Sequence, residues 1–327
     1  MKILANDGIS EEGKLALENA GYIVVTEKVE QEDLVNKINE ENYEIVLVRS
    51  ATQIREDIID NCPNLKLIGR GGVGMDNISV YHARENGIKV INTPASSSQS
   101  VAELVMAQFF TLSRSLHDSA KNMNKLDFEF LKKRYSKGTE LRGKTLGIIG
   151  FGRIGQSLAS YAIGMGMKVL AVDIEERIET IEIELPWVTS DGQEVSNKIG
   201  IKIKTTTSID ELLPKCDFIS LHIPKHENGD SIINEREFDL MKEGAILVNA
   251  ARGGVINEDD LIFALDDKKI RAIALDVFDD EPNPDRALIN HSKIAVTPHI
   301  GASTIEAQYR IGLELAELII NEFGTFN

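Results

Sequence analysis

Gly150-Phe151-Gly152-Arg153-Ile154-Gly155, with Asp173 standing 18 residues beyond the last glycine, is the stretch that decides how this chain is read. The preceding run Thr145-Leu146-Gly147-Ile148-Ile149 has the composition of a buried strand. The following segment, from Arg153 to about Met165, reads as a helix with Ala159 and Ala162 on one side. A second apolar run, Lys168-Val169-Leu170-Ala171-Val172, ends on the acid. A strand, a glycine turn, a helix and a strand closed by a carboxylate is the context in which a glycine pattern predicts dinucleotide binding. Gly150 permits the tight turn, Gly152 lets the backbone approach a pyrophosphate, and Gly155 lets helix and strand pack closely. The helix N-terminus offers N–H groups and partial positive charge to phosphates. Asp173 would accept from both hydroxyls of an adenosine ribose. A 2′-phosphate there would meet Asp173, Glu175 and Glu176, so NAD is expected rather than NADP, with Arg177 the one nearby cation arguing the other way.

With 327 residues, 42% of them hydrophobic, the chain is long enough to bury two cores. Cys62 and Cys216 have no metal-ligand spacing and suggest neither a disulfide framework nor a metal site, so reduced thiols in a cytoplasmic protein are expected. The N-terminus Met1-Lys2-Ile3-Leu4-Ala5-Asn6-Asp7 turns polar too early for a signal peptide, and no apolar stretch has the length of a membrane span. A net charge of −16 argues against nucleic acid as a partner and requires any anionic substrate to be held by local cations.

Short apolar runs alternate with amphipathic stretches along most of the chain. Strands are expected at Lys2–Ala5, Tyr22–Thr26, Glu44–Val48, Leu65–Ile68 and Ile88–Asn92, then at Phe218–His222, Ala245–Asn249, Ile270–Leu275 and Lys293–Thr297. Helices are expected at Glu11–Ala20, Ser79–Glu85, Ser98–Leu116, Ser208–Leu213, Glu235–Met241 and Asp259–Leu265, with a final helix over 303–323. Residues 118–144 read as a charged surface excursion. The alternation implies α/β architecture with parallel sheets and crossover helices. Because the dinucleotide unit begins only at Thr145, a separate α/β unit must precede it. Glu179–Leu185 and Lys198–Thr205 alternate at period two around Asp191-Gly192, which signals an inserted hairpin within about 174–205.

Three polar residues follow successive strands in the second half: Arg252 in Asn249-Ala250-Ala251-Arg252-Gly253-Gly254, Glu281 in Asp276-Val277-Phe278-Asp279-Asp280-Glu281-Pro282, and His299 in Thr297-Pro298-His299-Ile300-Gly301-Ala302-Ser303. In an open parallel sheet, ligands bind outside the carboxyl ends of the strands, so the three are expected to converge. Imidazole titrates near neutrality and suits an acid/base role, a carboxylate beside it would orient it, and a guanidinium would clamp a substrate carboxylate or carbonyl oxygen.

These motifs, together with Val48-Arg49-Ser50-Ala51-Thr52, Gly69-Arg70-Gly71-Gly72-Val73-Gly74-Met75-Asp76-Asn77, Asn92-Thr93-Pro94 and Ser100-Val101-Ala102-Glu103-Leu104, resemble the D-2-hydroxyacid dehydrogenases over essentially the whole length. Within that family the chain looks like the short-form D-3-phosphoglycerate dehydrogenases. The resemblance implies two doubly wound parallel-sheet domains, a Rossmann cofactor domain (99–298) inserted into a flavodoxin-like substrate domain (1–98 and 299–327). It implies hydride transfer with His299 as acid/base, Glu281 as its partner and Arg252 on the substrate. It further implies cofactor contacts from Gly150, Gly152, Arg153, Ile154, Gly155, Asp173, His222, Pro224, Ala250, Ala251, Arg252, Asp276 (to the nicotinamide amide), His299, Gly301 and Ala302. Substrate contacts would come from Arg49, Ser50, Val73, Gly74, Ser97, Arg252 and His299, and a homodimer through the cofactor domain is expected from the family.

The resemblance favours NAD-dependent oxidation of 3-phospho-D-glycerate to 3-phosphohydroxypyruvate, the entry step of serine synthesis, with Lys132-Lys133-Arg134 as a candidate phosphate contact. The alternative keeps the chemistry and reduces hydroxypyruvate, glyoxylate or another 2-oxoacid with NADH. A third reading is an NAD-sensing corepressor, which would have no need of all three of Arg252, Glu281 and His299. Formate oxidation is disfavoured because formate dehydrogenases carry Gln where Glu281 stands. The chain ends 28 residues after His299, so no serine-sensing regulatory domain is expected.

Overall fold

A computed structural model of the chain describes residues 1–226 and 228–326; Asn327, the end of the expected substrate-domain segment, lies outside the described residues. The chain divides into two compact units, Met1–Ser100 with Ala302–Asn327, and Val101–Gly301.

The first unit is built on a five-stranded sheet of β1 (Lys2–Ala5), β2 (Ile23–Val25), β3 (Ile45–Val48), β4 (Leu67–Arg70) and β5 (Lys89–Asn92). Its order is β2-β1-β3-β4-β5 and every pairing is parallel, the doubly wound order in which the chain reverses direction between β1 and β3. The strands are apolar on both faces, as a sheet covered on both sides requires. Ile3, Ala5, Ile45, Leu47 and Leu67 pack with Leu17 of the helix Glu11–Asn19 and with Ile311, Leu315 and Ile319 of the C-terminal helix Ile305–Phe323. On the other face Leu4, Val46, Val48 and Ile68 pack with Leu34, Ile38, Ile54 and Ile58.

The second unit holds eight strands: β6 (Thr145–Ile149), β7 (Lys168–Val172), β8 (Ile178–Val188), β9 (Glu194–Thr206), β10 (Phe218–Leu221), β11 (Ala245–Asn249), β12 (Ile270–Leu275) and β13 (Ile294–Val296). Their order is β13-β12-β11-β10-β6-β7-β9-β8, parallel throughout except for the antiparallel β8–β9 pair. Alternate residues again feed two cores. Leu146, Ile148, Ile246 and Val248 join Phe109, Leu158 and Ala162, while Ile149, Leu247 and Ile273 join Phe238, Leu261 and Leu265.

Several expectations need correction. The unit boundaries fall at Ser100/Val101 and Gly301/Ala302 rather than at 98/99 and 298/299, so His299 belongs to the second unit. The reason is local: His299 N–H donates to Asp276 O at 2.8 Å, and Ile300 and Gly301 N–H donate to the Asp276 carboxylate at 2.9 and 2.8 Å. The excursion read over 118–144 contains two short helices, Leu116–Asn122 and Phe128–Arg134, and the preceding helix stops at Ser113 before Ser115 turns left-handed at φ +54°. The hairpin lies where expected, but its strands extend beyond the alternating stretches Glu179–Leu185 and Lys198–Thr205, and it is not a mere insertion. Thr205 and Thr206, at the end of β9, pair in parallel with Ala171 and Val172, so this strand also serves as the third strand of the cofactor-type sheet. Ile181 and Ile203 of the ribbon are buried against the core beside Leu158. Among the described residues no helix is long and apolar enough to cross a membrane, and no group of three or more His, Cys, Asp and Glu is placed to hold a metal.

Phe218 of β10 is 1% exposed and meets Phe109 edge-to-face at 5.3 Å between centroids. Phe218→Ala should destabilise the unit Val101–Gly301 by about 3–5 kcal/mol, read as a lowered urea midpoint of the far-UV circular dichroism transition.

Candidate active site

The glycine turn after β6 has the shape expected for a pyrophosphate. Gly150 has φ +92°, and a Cβ there would lie 2.5 Å from the carbonyl oxygen of His222, at the end of β10. A Cβ on Gly155 would lie 2.4 Å from Gly150 O. These two glycines are fixed by the protein itself. Gly152 differs: nothing stands within 4 Å of where its Cβ would be, and it caps the helix Arg153–Gly164 without any side-chain cap. The open side of the turn and the uncapped N–H groups of the helix are where a diphosphate fits. Arg153 and Ile154 form the first turn of that helix. His222 stands at the end of the neighbouring strand with Nε2 2.9 Å from Ser220 Oγ, while its Nδ1 is buried without a partner. Burial pushes its pKa down to about 3, so the ring is neutral at physiological pH. A buried, unpaired nitrogen beside the glycine turn is consistent with a bound cofactor completing this end of the sheet.

Asp173 follows β7 directly. Its Oδ1 accepts from Ile174 N–H at 2.8 Å, and its Oδ2 accepts from Phe151 N–H at 3.0 Å and from Arg177 Nη2 at 2.6 Å. Arg177 also donates to Glu179 at 2.8 Å and to Phe151 O at 3.0 Å. The cation that softened the case against NADP is therefore already neutralised by carboxylates.

Arg252, Glu281 and His299 all follow strands of the second sheet at its carboxyl edge. At the last position of β11, Asn249 Oδ1 accepts from Ala251 N–H at 3.0 Å and its Nδ2 donates to Arg252 O at 2.9 Å, pinning the turn through Ala250 and Ala251 that carries Arg252. Gly253 brings this turn against the next one, because a Cβ there would lie 1.9 Å from Phe278 O. Phe278 N–H in turn donates to Glu281 Oε1 at 3.0 Å, and Glu281 Oε2 lies 2.8 Å from His299 Nδ1. Burial pushes the Glu281 pKa up, but the His299 bond and charge, the Phe278 N–H and the Arg252 charge outweigh it and hold the group below its ordinary 4.5. An ionised Glu281 can only accept, so Nδ1 carries the proton and Nε2 is left to exchange one with a ligand.

His299 sits at φ +52°, a conformation that side-chain-bearing residues rarely adopt. Asp276, 3% exposed, holds it there. Asp276 Oδ1 accepts from Thr297 Oγ1 at 2.6 Å and Ile300 N–H at 2.9 Å, while Oδ2 accepts from Gly301 N–H at 2.8 Å. The residue expected to meet the nicotinamide amide thus spends most of its acceptor capacity on the loop bearing the imidazole. Sequence reading missed this second role, although an acid immediately after a buried strand and before a Thr-Pro-His turn was the available signal. Pro224 is exposed beyond β10, Gly301 is buried against Val101, and Ala302 opens the segment that returns to the first unit.

In the first unit, Arg49 and Ser50 follow β3, Val73 and Gly74 follow β4, and Ser97 is buried. The Val73 loop is held by Asn92 Nδ2, which donates to Val73 O at 2.7 Å, and by Gly72 N–H, which donates to Thr93 Oγ1 at 2.8 Å. The basic cluster Lys132-Lys133-Arg134 loses its third member to an ion pair: Arg134 Nη2 is 2.8 Å from Asp118 Oδ2.

Residues 106–301 match the family described as D-isomer specific 2-hydroxyacid dehydrogenase, NAD binding domain. The chain is 41% identical to hydroxypyruvate reductase of Thermotoga maritima over 327 residues, covering 99% of this chain and 98% of that protein. It is 40% identical to D-3-phosphoglycerate dehydrogenase of Methanocaldococcus jannaschii, covering 98% of this chain but 57% of that protein. Among solved structures, D-lactate dehydrogenase of Aquifex aeolicus complexed with NAD and lactic acid superposes with a TM-score of 0.72 at 30% identity, covering 98% and 94% of the two chains.

Asp173→Ala should lower kcat/KM for NADH tenfold or more and release Arg177, moving the NADPH/NADH ratio toward NADPH; parallel assays with the two cofactors check both effects. The stability Glu281 contributes is complete above its ordinary 4.5 and is lost as the pH falls through its lowered folded value. Glu281→Gln should therefore remove part of the acid-side loss in denaturation midpoints measured from pH 3 to 7.

Proposed function

Because the chain belongs to the D-isomer specific 2-hydroxyacid dehydrogenase family and is an NAD-dependent oxidoreductase, we propose that it reduces a small unphosphorylated 2-oxoacid, hydroxypyruvate first, to the corresponding D-2-hydroxyacid. The observation that carries the chemistry is the bonded pair Glu281–His299 with Arg252 on the adjoining turn. In this reading Arg252 takes the substrate's carbonyl oxygen and orients the carbonyl. His299 Nε2 gives a proton to the carbonyl oxygen as it becomes a hydroxyl, and Glu281 steadies the imidazole and balances its charge. NADH, when bound, supplies the hydride. The glycine turn, the helix beginning at Arg153, Asp173 and His222 hold it, and the remaining cofactor contacts named from the sequence are retained as part of the proposal.

The preference for an unphosphorylated substrate departs from the expectation drawn from the sequence. It is supported by the 41% identity to a relative of that activity over 327 residues. The commitment of Arg134 to Asp118 points the same way, since it removes a cation from the expected phosphate contact. Oxidation of 3-phosphoglycerate is the second reading, favoured by the 40% identity to the Methanocaldococcus protein. Arg49, Ser50, Val73 and Gly74 are proposed as substrate ligands in either case, and a homodimer is proposed on family grounds alone.

NADH consumption with hydroxypyruvate, glyoxylate, pyruvate and 3-phosphohydroxypyruvate decides between the two. A kcat/KM for hydroxypyruvate at least equal to that for the phosphorylated acid supports the proposal; a preference of roughly a hundredfold for the phosphorylated acid supports the second reading. NADH binding with no turnover of any of them would return the protein to the corepressor class. His299→Ala should reduce kcat by about 10²- to 10⁴-fold while NADH still binds, as followed by its fluorescence.

A further inference from the structure

Arg49 and Ser50 lie in a turn gripped from both sides by the side chains of Asp7 and Asn77. Asp7, two residues past the end of β1, accepts from Arg49 N–H at 2.7 Å, Thr52 N–H at 3.1 Å, Thr52 Oγ1 at 2.7 Å and Lys28 Nζ at 2.6 Å. On the opposite side a single amide, Asn77 Nδ2, donates to Arg49 O at 2.7 Å and Thr52 O at 2.6 Å. The N–H groups of Arg49 and Thr52 thus end on one carboxylate and their carbonyls on one amide. The Asp7 side chain is 5% exposed. Burial alone would push its pKa up, yet the bonds from Lys28, Thr52 and Arg49 hold it below its ordinary 3.8, so the grip is ionic at physiological pH.

What the turn presents is a guanidinium. Arg49 is, among the described residues, the one cation lining a cavity of about 420 Å³, with Ser10, Glu12, Ser303, Gln308 and Tyr309 among its other walls. Burial pushes its pKa below the ordinary 12.5, the mark of a cation short of water. Among the described residues no hydrogen bond or ion pair engages that guanidinium, while its own backbone is bonded on both sides.

We propose that Asp7, with Asn77 opposite it, is the positioning residue for anion capture by Arg49: it fixes the turn so that a partly desolvated guanidinium points into the cavity, ready for the anionic end of a small 2-oxoacid. This rests on the reading of Arg49 as a substrate ligand given above. A side chain that bonds the turn and not the substrate acts on substrate affinity through Arg49, and a rigid turn spares the loop-ordering cost of binding.

The test is steady-state kinetics with hydroxypyruvate and NADH on Asp7→Asn, Arg49→Ala and the double variant. Each single change should raise the KM for hydroxypyruvate about tenfold or more, with kcat within about threefold and the KM for NADH unchanged. The double variant should be no worse than Arg49→Ala within about twofold, because Asp7 acts through Arg49. A wild-type KM in Asp7→Asn, or a double variant in which the two effects multiply, overturns the proposal. So does a parallel fall in kcat and in affinity for both substrates, which marks a merely structural role. If Arg49→Ala itself binds hydroxypyruvate normally, the premise fails, and the single Arg49 variant identifies that outcome separately. Should Asp7→Asn not fold, Thr52→Val removes one donor from the same carboxylate and should raise the KM about threefold by the same route.

Discussion

The hydrogen bonds that converge on Asp276 are the constraint on which the candidate active site depends. A carboxylate buried beside a strand end is costly unless its lone pairs are filled. Here they are filled from one loop: Thr297 Oγ1 and the N–H groups of Ile300 and Gly301, while Asp276 O takes the N–H of His299. That satisfaction offsets the left-handed backbone of His299, a strain of about 1–3 kcal/mol. Asp276 N–H donates to Asn249 O at 2.9 Å, and Asn249 caps the turn that carries Arg252. One chain of bonds therefore ties the cationic and imidazole groups to the same two adjacent strands, and Glu281 is drawn in through Phe278 N–H.

The two units solve the same problem in the same way. Each is an open parallel sheet whose carboxyl edge releases turns with unspent N–H and C=O groups, and in each a side chain following a strand gathers those groups. Asp7 does this after β1, Asp173 after β7, Asn249 at the last position of β11 and Asp276 after β12. Three of the four are acids, which suits a place where backbone N–H groups point outward and where ionised acceptors make stronger bonds. The acids organise the turns at the carboxyl edges, in a chain whose net charge is −16.

Much of this was legible in the sequence because it is carried by local periodicity and turn chemistry. β11 and β12 begin and end where their apolar runs do, and the glycine turn, Asp173 and the Arg252, Glu281 and His299 turns announce themselves by residue type next to a strand. Polar closure over long separations was not legible. Asp7 meets Arg49 and Thr52 across more than forty residues, and Asn77 meets the same turn from the loop that follows β4. Nothing in the spacing of these residues marks the contacts, since most of the partners are backbone groups of ordinary residues. The helices Leu116–Asn122 and Phe128–Arg134 were hidden by their polarity: only Leu131 and Asp118 among their residues are buried, so no apolar stripe reveals them. β9 was misread because it has two environments, an exposed ribbon with a polar face and two final residues inside the sheet.

That division within β9 makes the ribbon a natural place for length variation. Only Thr205 and Thr206 take part in the parallel sheet, and the antiparallel register from Ile178 opposite Lys204 to Val188 opposite Glu194 then runs outward to a five-residue turn at Thr189–Gln193. Residues added or removed in matched pairs at the turn leave every inward register unchanged, because pairing along a ribbon is counted from its base. The chain can therefore acquire a longer or shorter arm there, or an inserted peptide, as a graft that the dinucleotide-binding sheet does not feel.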